Sequence, residues 1–480
     1  MWNTRNFLNL GLVSITAVCT SLAATPVVSQ DGTTASPLRI MFSAETSPEG
    51  REPWVTDGTR RGTKLLRDIV PGSSKSDPTG FTALGNSRAV FSATNETDGF
   101  ELWVSDTTRR RTRLVRNIRS GSNSSLPDGF AALGDGRALF SAQDDNAGRE
   151  LWVTDGTPNG TRLVRDIFAG ATGSEPEGIA QLNAGLAVLS ARTNAAGREL
   201  WISDGTTPGT ALLRDIRAGN SSSEPMDLTS LGDGRAVFSA ETNTNGREPW
   251  ITDGTTNGTR LLRDILPGSS TSEPSQFTRF GTGRALFAAD DNVTKTELWI
   301  TDGTTNGTKL VRDIASGGDS DPEWITPISD SAAVFSANDG VNGTELWGTN
   351  GTRNGTRLVQ NIASGSNSSD PAYITALGDG RAVFAADDGE NGTELWITNG
   401  TSNGTRLLRD IRSGSSGSHP SDIFATGDGR AIFVADDGES GRELWITDGT
   451  RKGTKLLRDL LGGSSGSEPR DFAIVVAAAP

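Results

Sequence analysis

One eight-residue motif recurs nine times along the chain and constrains the fold more than any other feature. Its last copy reads Glu-Leu-Trp-Ile-Thr-Asp-Gly-Thr over residues 443–450. The copies are spaced by 49 residues, with a single spacing of 48, and their tryptophans are Trp54, Trp103, Trp152, Trp201, Trp250, Trp299, Trp347, Trp396 and Trp445. A fixed period of this size predicts a repeat architecture, and β-propellers are among the folds that show it.

Each repeat contains four short apolar segments bounded by turn residues, which is the pattern of β-strands. In the last full repeat, strand a spans 430–435, strand b spans 443–447 and strand c spans 455–460. Strand d is predicted to begin at an apolar position that recurs as Phe81, Phe130, Ile179, Leu228, Phe277, Ile325, Ile374, Ile423 and Phe472. The d–a, a–b and b–c links are short and rich in the Asp and Gly that hairpin turns require, whereas the c–d link is long. The pattern therefore predicts four-stranded antiparallel blades in the order d-a-b-c, with d innermost.

The two ends of the repeat region are offset in a way that predicts a closed ring. The first repeat begins at strand a, with no strand d before it, and the last repeat is followed by an extra strand d at residues 472–476. If this C-terminal strand completes the first blade, no sheet is left incomplete. We therefore predict an all-β fold: a nine-bladed β-propeller of four-stranded antiparallel blades, closed by the C-terminal strand.

The motif resembles the repeat that gives the bacterial ELWxxDGT repeat proteins their name, over roughly residues 38 to 476. The resemblance implies a secreted repeat protein of propeller-like fold with no established activity. Departures from the motif are few. Pro53 and Pro249 replace the leucine, Thr107 replaces the glycine, and Asn350 and Asn399 replace the aspartate.

The first residues have the pattern of a secretory signal peptide, with Arg5 ahead of the apolar run 7–18 and small residues at 21–24. We predict a signal peptide at 1–24, a flexible Ser/Thr/Pro/Gly-rich leader at 25–37, and a single propeller domain at 38–477. The only cysteine, Cys19, lies in the predicted signal peptide, so the mature domain would have no disulfide. The expected location is extracellular or periplasmic.

The formal net charge is −14. An acidic surface repels phosphate backbones and anionic lipids, so neither nucleic acid nor a membrane surface is an expected partner. No apolar run beyond the signal peptide is long enough for membrane insertion. We expect a monomer.

The nine internal copies act as replicates, because a residue kept in every blade serves the blade and not a single active site. On this basis the motif tryptophans are predicted to pack between sheets. A glutamate two residues before each tryptophan, and arginines in strands a and c, are predicted to form charge pairs within each blade.

Residues suited to catalysis are scarce in this sequence. His419 is the only histidine and Tyr373 the only tyrosine, so histidine/cysteine zinc sites are excluded and a Ser-His-Asp triad would have to use His419. Blade 7 is the irregular repeat, with Trp324 beside its inner strand and Pro327 within it. The near-uniform repeats favour a non-catalytic binding or scaffold module. The alternative is a propeller hydrolase or lyase acting on polysaccharide, which would require a unique polar cluster that breaks the symmetry.

The c–d crossovers offer a candidate ligand site. An acidic residue precedes a proline, just before strand d, in seven repeats: Asp77, Glu175, Glu224, Glu273, Asp321, Asp370 and Glu468. Aspartate pairs in several a–b loops are predicted to lie on the same face. Such a carboxylate ring would attract cations or a cationic ligand. No cofactor is indicated, although calcium would suit oxygen ligands of this kind. The possible partners on this face are a glycan, a protein or cations, and hydrogen bonding of each acid within its own loop is the alternative role.

Overall fold

The computed structural model describes residues 38–476, so the predicted signal peptide and the whole predicted leader lie outside the described residues. This part of the chain contains 36 strands and two single-turn 3-10 helices, at Arg109–Arg111 and Ser402–Gly404. Within it, no helix is long and apolar enough to cross a membrane. The strands form nine four-stranded sheets, each with the spatial order d-a-b-c. The predicted nine-bladed propeller is confirmed.

The strands fall into four sets, and the blades are numbered by the chain order of their strand a. The inner strands, d, are β4 (Thr79–Ala83), β8 (Asp128–Ala132), β12 (Glu177–Asn183), β16 (Met226–Ser230), β20 (Ser275–Arg279), β24 (Glu323–Ser329), β28 (Ala372–Ala376), β32 (Ser421–Ala425) and β36 (Arg470–Val476). The a strands are β1 (Leu38–Thr46), β5 (Ala89–Thr94), β9 (Ala138–Asp144), β13 (Leu186–Thr193), β17 (Ala236–Thr242), β21 (Ala285–Asp290), β25 (Ala332–Asn338), β29 (Ala382–Asp387) and β33 (Ala431–Asp436).

The b strands, which carry the motif, are β2 (Gly50–Thr56), β6 (Phe100–Ser105), β10 (Gly148–Thr154), β14 (Gly197–Ser203), β18 (Gly246–Thr252), β22 (Thr296–Thr301), β26 (Thr344–Thr349), β30 (Thr393–Thr398) and β34 (Arg442–Thr447). The outer strands, c, are β3 (Lys64–Leu65), β7 (Arg113–Arg116), β11 (Arg162–Arg165), β15 (Ala211–Arg214), β19 (Arg260–Leu261), β23 (Lys309–Arg312), β27 (Arg357–Gln360), β31 (Arg406–Arg409) and β35 (Lys455–Arg458). Outer strands β3 and β19 have only two residues. Their partner strands carry Pro53 and Pro249, and proline has no N–H to extend the ladder.

The ring is closed by the C-terminal strand, as predicted. Strand β36 pairs antiparallel with β1, with Leu38 opposite Val476 and Met41 opposite Ala473. Strand β36 also contacts the inner strands on both sides, β4 and β32. The first blade is thus built from both ends of the described chain.

The hydrophobic core lies between neighbouring blades. Trp103 of blade 2, for example, is 4% exposed and packs in one cluster with Met41 and Val55 of blade 1. At the ring closure, Trp54 and Phe42 of blade 1 pack with Ile432 of blade 9. The predicted position of the motif tryptophans between sheets is confirmed.

The predicted charge pairing within blades is wrong for the arginines of strand c, because each reaches the next blade. Arg116 donates a 2.7 Å hydrogen bond to the carbonyl oxygen of Thr161, and its guanidinium lies 5.8 Å from the ring centroid of Trp152. The same two contacts recur at eight blade junctions. The ninth junction has Gln360 in place of the arginine. The planar guanidinium of arginine matches the flat indole surface of the neighbouring blade.

The prediction is also wrong for the motif glutamates, which are fully buried and bind the c–d crossover. Glu199 accepts hydrogen bonds from the backbone N–H groups of Ile216, Arg217 and Ser223, and from the Ser223 hydroxyl at 2.7 Å. The same serine hydroxyl contact occurs in all nine blades. Burial raises the pKa of Glu199 to about 7 despite these donors. Each carboxyl group therefore fixes the path of one long crossover.

The arginines that open strand a do pair within their blades, in four cases with the aspartate of the preceding d–a turn: Asp135–Arg137, Asp233–Arg235, Asp379–Arg381 and Asp428–Arg430. These pairs are partly exposed, so each contributes about 0–1 kcal/mol.

Candidate functional site

The second residue of every inner strand has a left-handed backbone, and we call this the bulge position. In β16, Met226 pairs with Ser239 and Thr229 with Val237, so the inner strand carries one extra residue there. Glycine occupies the bulge position in blades 2, 3 and 4, at Gly80, Gly129 and Gly178. The other six inner strands place side chains there, with φ between 50° and 59°: Asp227, Gln276, Trp324, Tyr373, Asp422 and Asp471.

The bulge explains why each inner strand begins two residues before its predicted apolar start. A β-bulge bends its strand and redirects a side chain. A left-handed backbone costs a residue other than glycine about 1 kcal/mol or more, and it is a clear outlier for bulky side chains. Glycine satisfies this position in three blades, so the fold does not require Trp324 or Tyr373 there.

The six occupied bulge positions belong to consecutive blades, from blade 5 through blade 9 to the strand β36 of blade 1. They form an occupied arc of six blades, and the other three blades form a glycine arc. The rings of Trp324 and Tyr373 contact each other with centroids 4.9 Å apart and planes tilted by 38°. Their exposed fractions are 38% and 36%, which makes them the most exposed aromatic side chains of the described residues.

Three carboxylates accompany this aromatic pair in the occupied arc. Burial raises the pKa of Asp471, Arg470 beside it opposes the shift, and Asp422 on the neighbouring inner strand adds to it. Burial also raises the pKa of Asp227. The Ser421 hydroxyl donates a 2.7 Å hydrogen bond to Asp422.

The bulge positions lie at the end of the ring formed by the c–d crossovers and the a–b loops, here called the crossover face. These two kinds of loop meet directly: the N–H of Thr94 donates to the carbonyl oxygen of Ser76 at 2.9 Å, and Arg119 pairs with Asp145 at 2.6 Å. Each inner strand starts from a crossover, so its second residue is at this end. The crossover acids predicted from sequence are on the same face.

The seven predicted crossover carboxylates divide into two groups. Four of them pair with an arginine of strand b: Glu175 with Arg149, Glu224 with Arg198, Glu273 with Arg247, and Glu468 with Arg442, at 3.1 to 3.9 Å. Among residues 38–476, the carboxylates of Asp77, Asp321 and Asp370 have no such pair. Threonine explains two of these, because Thr296 and Thr344 occupy the arginine position of blades 6 and 7.

The aspartate pairs of the a–b loops serve their own turns. Asp388 accepts hydrogen bonds from the backbone N–H groups of Glu390 and Asn391, at 2.9 and 2.8 Å. Within the described residues, no group of three His, Cys, Asp or Glu side chains is placed to hold a metal ion. The structure thus offers no assembled site for calcium in this part of the chain.

His419 occupies the acidic crossover position before β32 and is exposed. Its backbone carbonyl oxygen accepts a 2.9 Å hydrogen bond from Arg442. No hydrogen bond from a serine hydroxyl to its imidazole occurs in the described part of the chain.

Comparison with known proteins gives neither a family nor an activity. No protein-family model and no curated protein matches the chain. Among solved structures, puromycin hydrolase aligns over 75% of this chain and 58% of its own at 15% identity, with a TM-score of 0.39. A prolyl endopeptidase aligns over 78% and 55% at 10% identity, with a TM-score of 0.41, and TolB from Acinetobacter baumannii over 71% and 79% at 16% identity, with a TM-score of 0.30. The chain therefore spans little more than half the length of puromycin hydrolase and of the prolyl endopeptidase.

Proposed function

We propose that this chain is a secreted, non-catalytic β-propeller that acts as a binding or scaffold module at the cell envelope or outside the cell, with its ligand site on the crossover face. The occupied arc of the ring is the observation that most supports a ligand site on this face. Six side chains are kept there at a backbone cost that glycine avoids in the other three blades. Strained positions that the fold does not need are typical of functional sites.

We also propose that the chain belongs to the ELWxxDGT repeat proteins, because the motif recurs nine times with few departures. Secretion rests on the predicted signal peptide. The ligand is a glycan, a protein or a cation, and the acidic net charge argues against nucleic acid and anionic membranes. Of the crossover carboxylates, we propose Asp77, Asp321 and Asp370 as ligand contacts, because arginines already neutralise the other four.

A binding screen with the mature protein tests this proposal, using a glycan array and a panel of organic and inorganic cations. The key variant replaces all six occupied bulge positions by glycine, the residue that blades 2–4 already have. We expect it to fold normally and to lose every ligand that the unmodified protein binds. The control variant, Arg353→Ala with Arg451→Ala, changes exposed b–c loops on the other face and should bind normally. A ligand retained by the six-glycine variant would place binding elsewhere.

One observation favours the alternative, a polysaccharide hydrolase or lyase. Asp422 and Asp471 occupy equivalent positions on neighbouring inner strands, and burial raises the pKa of Asp471. Two carboxyl groups in different environments are the requirement for acid-assisted glycoside cleavage. Release of reducing ends or unsaturated sugars from a polysaccharide panel, abolished by Asp471→Asn in a folded protein, would establish the enzyme and overturn the non-catalytic proposal.

A further inference from the structure

The aromatic pair, Trp324 and Tyr373, is the feature of the crossover face whose chemistry is most specific. The two side chains lie on neighbouring inner strands, β24 and β28, and both are more than one third exposed. Because their ring centroids are only 4.9 Å apart, a ligand lies across the outer faces of the rings and not between them. Exposed indole and phenol faces carry negative electrostatic potential and attract cations within about 6 Å of the ring centroid.

Carboxylates without arginine partners lie beside this pair. Asp321 and Asp370 each lie three residues before one of the aromatic residues, so their Cα atoms are within about 11 Å of it. Glu323, which is exposed, immediately precedes Trp324. Among residues 38–476, none of these three carboxylates has a side-chain hydrogen bond or ion pair.

Asp321 and Asp370 precede the inner strands of blades 7 and 8, and each lacks the arginine that pairs with this acid in other blades. An arginine on the b strand of blades 3, 4, 5 and 9 neutralises the crossover acid 26 residues later. Thr344 stands 26 residues before Asp370, and Thr296 takes the same place for Asp321. Lys295, which precedes Thr296, donates a hydrogen bond to the Asn292 side chain at 3.0 Å. Unpaired carboxylates therefore accompany the exposed aromatic pair, and the guanidinium of Arg442 near Tyr373 is already paired with Glu468.

We infer, resting on the proposed function of this face, that Trp324 and Tyr373 together with Asp321 and Asp370 bind a small organic cation that carries an ammonium group. Aromatic faces contact the alkyl groups around the charge, and the carboxylates supply the countercharge. A bare metal ion would need several oxygen ligands, and rings provide none. The combination of aromatic faces and carboxylates therefore suits a methylated or primary ammonium compound better than an inorganic ion.

Calorimetric titration tests the inference with choline and spermidine as probes and with 3,3-dimethyl-1-butanol, the uncharged analogue of choline, as the ligand control. We expect at least one cation to bind and the uncharged analogue to bind at least tenfold more weakly. Trp324→Gly and Tyr373→Gly should each weaken binding at least tenfold while preserving the fold, because glycine occupies this position in three other blades. Asp321→Asn with Asp370→Asn should have a similar effect.

A charge-insertion variant provides the sharpest matched comparison. Thr344→Arg restores the arginine that other blades carry, which would pair with Asp370, and it should abolish cation binding. Phe100→Arg makes the same insertion in the glycine arc of the ring and should leave binding unchanged. Equal binding of the uncharged analogue, or full binding by the Thr344→Arg protein, would overturn the inference. If no cation binds but the six-glycine variant loses another ligand, the inference fails and the proposed function stands.

Discussion

At the residue scale, the blade junctions are uniform except for one position. Eight arginines stack on the tryptophan of the next blade, and Gln360 is the exception, at the junction where the next blade carries Trp396. The Gln360 side-chain oxygen is buried and has no hydrogen-bond partner among the described residues. A buried polar atom without a partner lowers stability. The junction between blades 7 and 8 is therefore the weakest of this type.

We predict that Gln360→Arg raises the free energy of unfolding by about 0.5–2 kcal/mol, because it restores the cation–π contact and the hydrogen bond made at the other junctions. The measurement is the urea concentration at the midpoint of unfolding, compared between proteins whose free energy of unfolding falls with urea at the same slope. Arg409→Gln is the converse change at the next junction and should lower stability by a similar amount. An unchanged midpoint for both proteins would show that these stacked arginines contribute little.

At the scale of elements, strand β36 has a special role because it supplies the inner strand of blade 1. Its removal would leave β1 as an exposed sheet edge, with unpaired N–H and C=O groups available to another chain. Arg458 makes the junction contact across the closure, to Trp54 and Thr63. The closure therefore uses the same contacts as the junctions inside the ring.

We predict that deletion of residues 471–480 lowers the melting temperature and causes self-association, measured by calorimetry and light scattering. Because a truncated chain can simply misfold, a pair of point variants gives a second measurement. Arg458→Gln at the closure and Arg263→Gln inside the ring should lower stability equally if the ring is closed. A neutral Arg458→Gln beside a destabilising Arg263→Gln would indicate an open ring.

At the scale of the whole molecule, nine buried carboxyl groups make stability depend on pH. Burial raises the pKa of Glu52, Glu199, Glu248 and Glu297 to about 7, above the ordinary glutamate value of 4.5. Between these two values the folded state binds protons that the unfolded state releases. Their contribution to stability is therefore complete below pH 4.5 and is lost as the pH rises to about 7.

We predict that the urea midpoint falls between pH 5 and pH 7.5. The measurement is made in high salt, because surface repulsion in this acidic protein acts in the same direction and is screened there. Glu199→Gln removes one titrating group and should make the pH dependence shallower, although it lowers stability overall. A midpoint that rises with pH in this range would show that the hydrogen-bond donors around these carboxylates outweigh their burial.

The strands, their order in each blade, the number of blades and the closure by residues 472–476 were all predictable from the sequence. These features follow from local patterns: apolar segments, Asp/Gly turns and a constant period, repeated nine times so that errors in one copy are corrected by the others. The position of the tryptophans between sheets followed from the same repetition.

The partners of the charged residues that recur from blade to blade were decided only by the tertiary structure. Glu199 binds a serine 24 residues away, and Arg116 reaches the neighbouring blade. Charge alone suggests that these residues attract each other, whereas the geometry of crossover and junction separates them. Packing between blades brings together residues that no local pattern relates.

The occupied arc of the ring could not be recognised as a site in the linear sequence, although the sequence contained a signal for it. Aligned on strand d, the bulge position reads Gly, Gly, Gly, Asp, Gln, Trp, Tyr, Asp, Asp, which is unusually variable for a regular repeat. Its meaning depended on the left-handed backbone and on ring closure. The first shows that these side chains are kept at a cost, and the second joins residues spread over 245 positions, from Asp227 to Asp471, into one continuous arc around the axis.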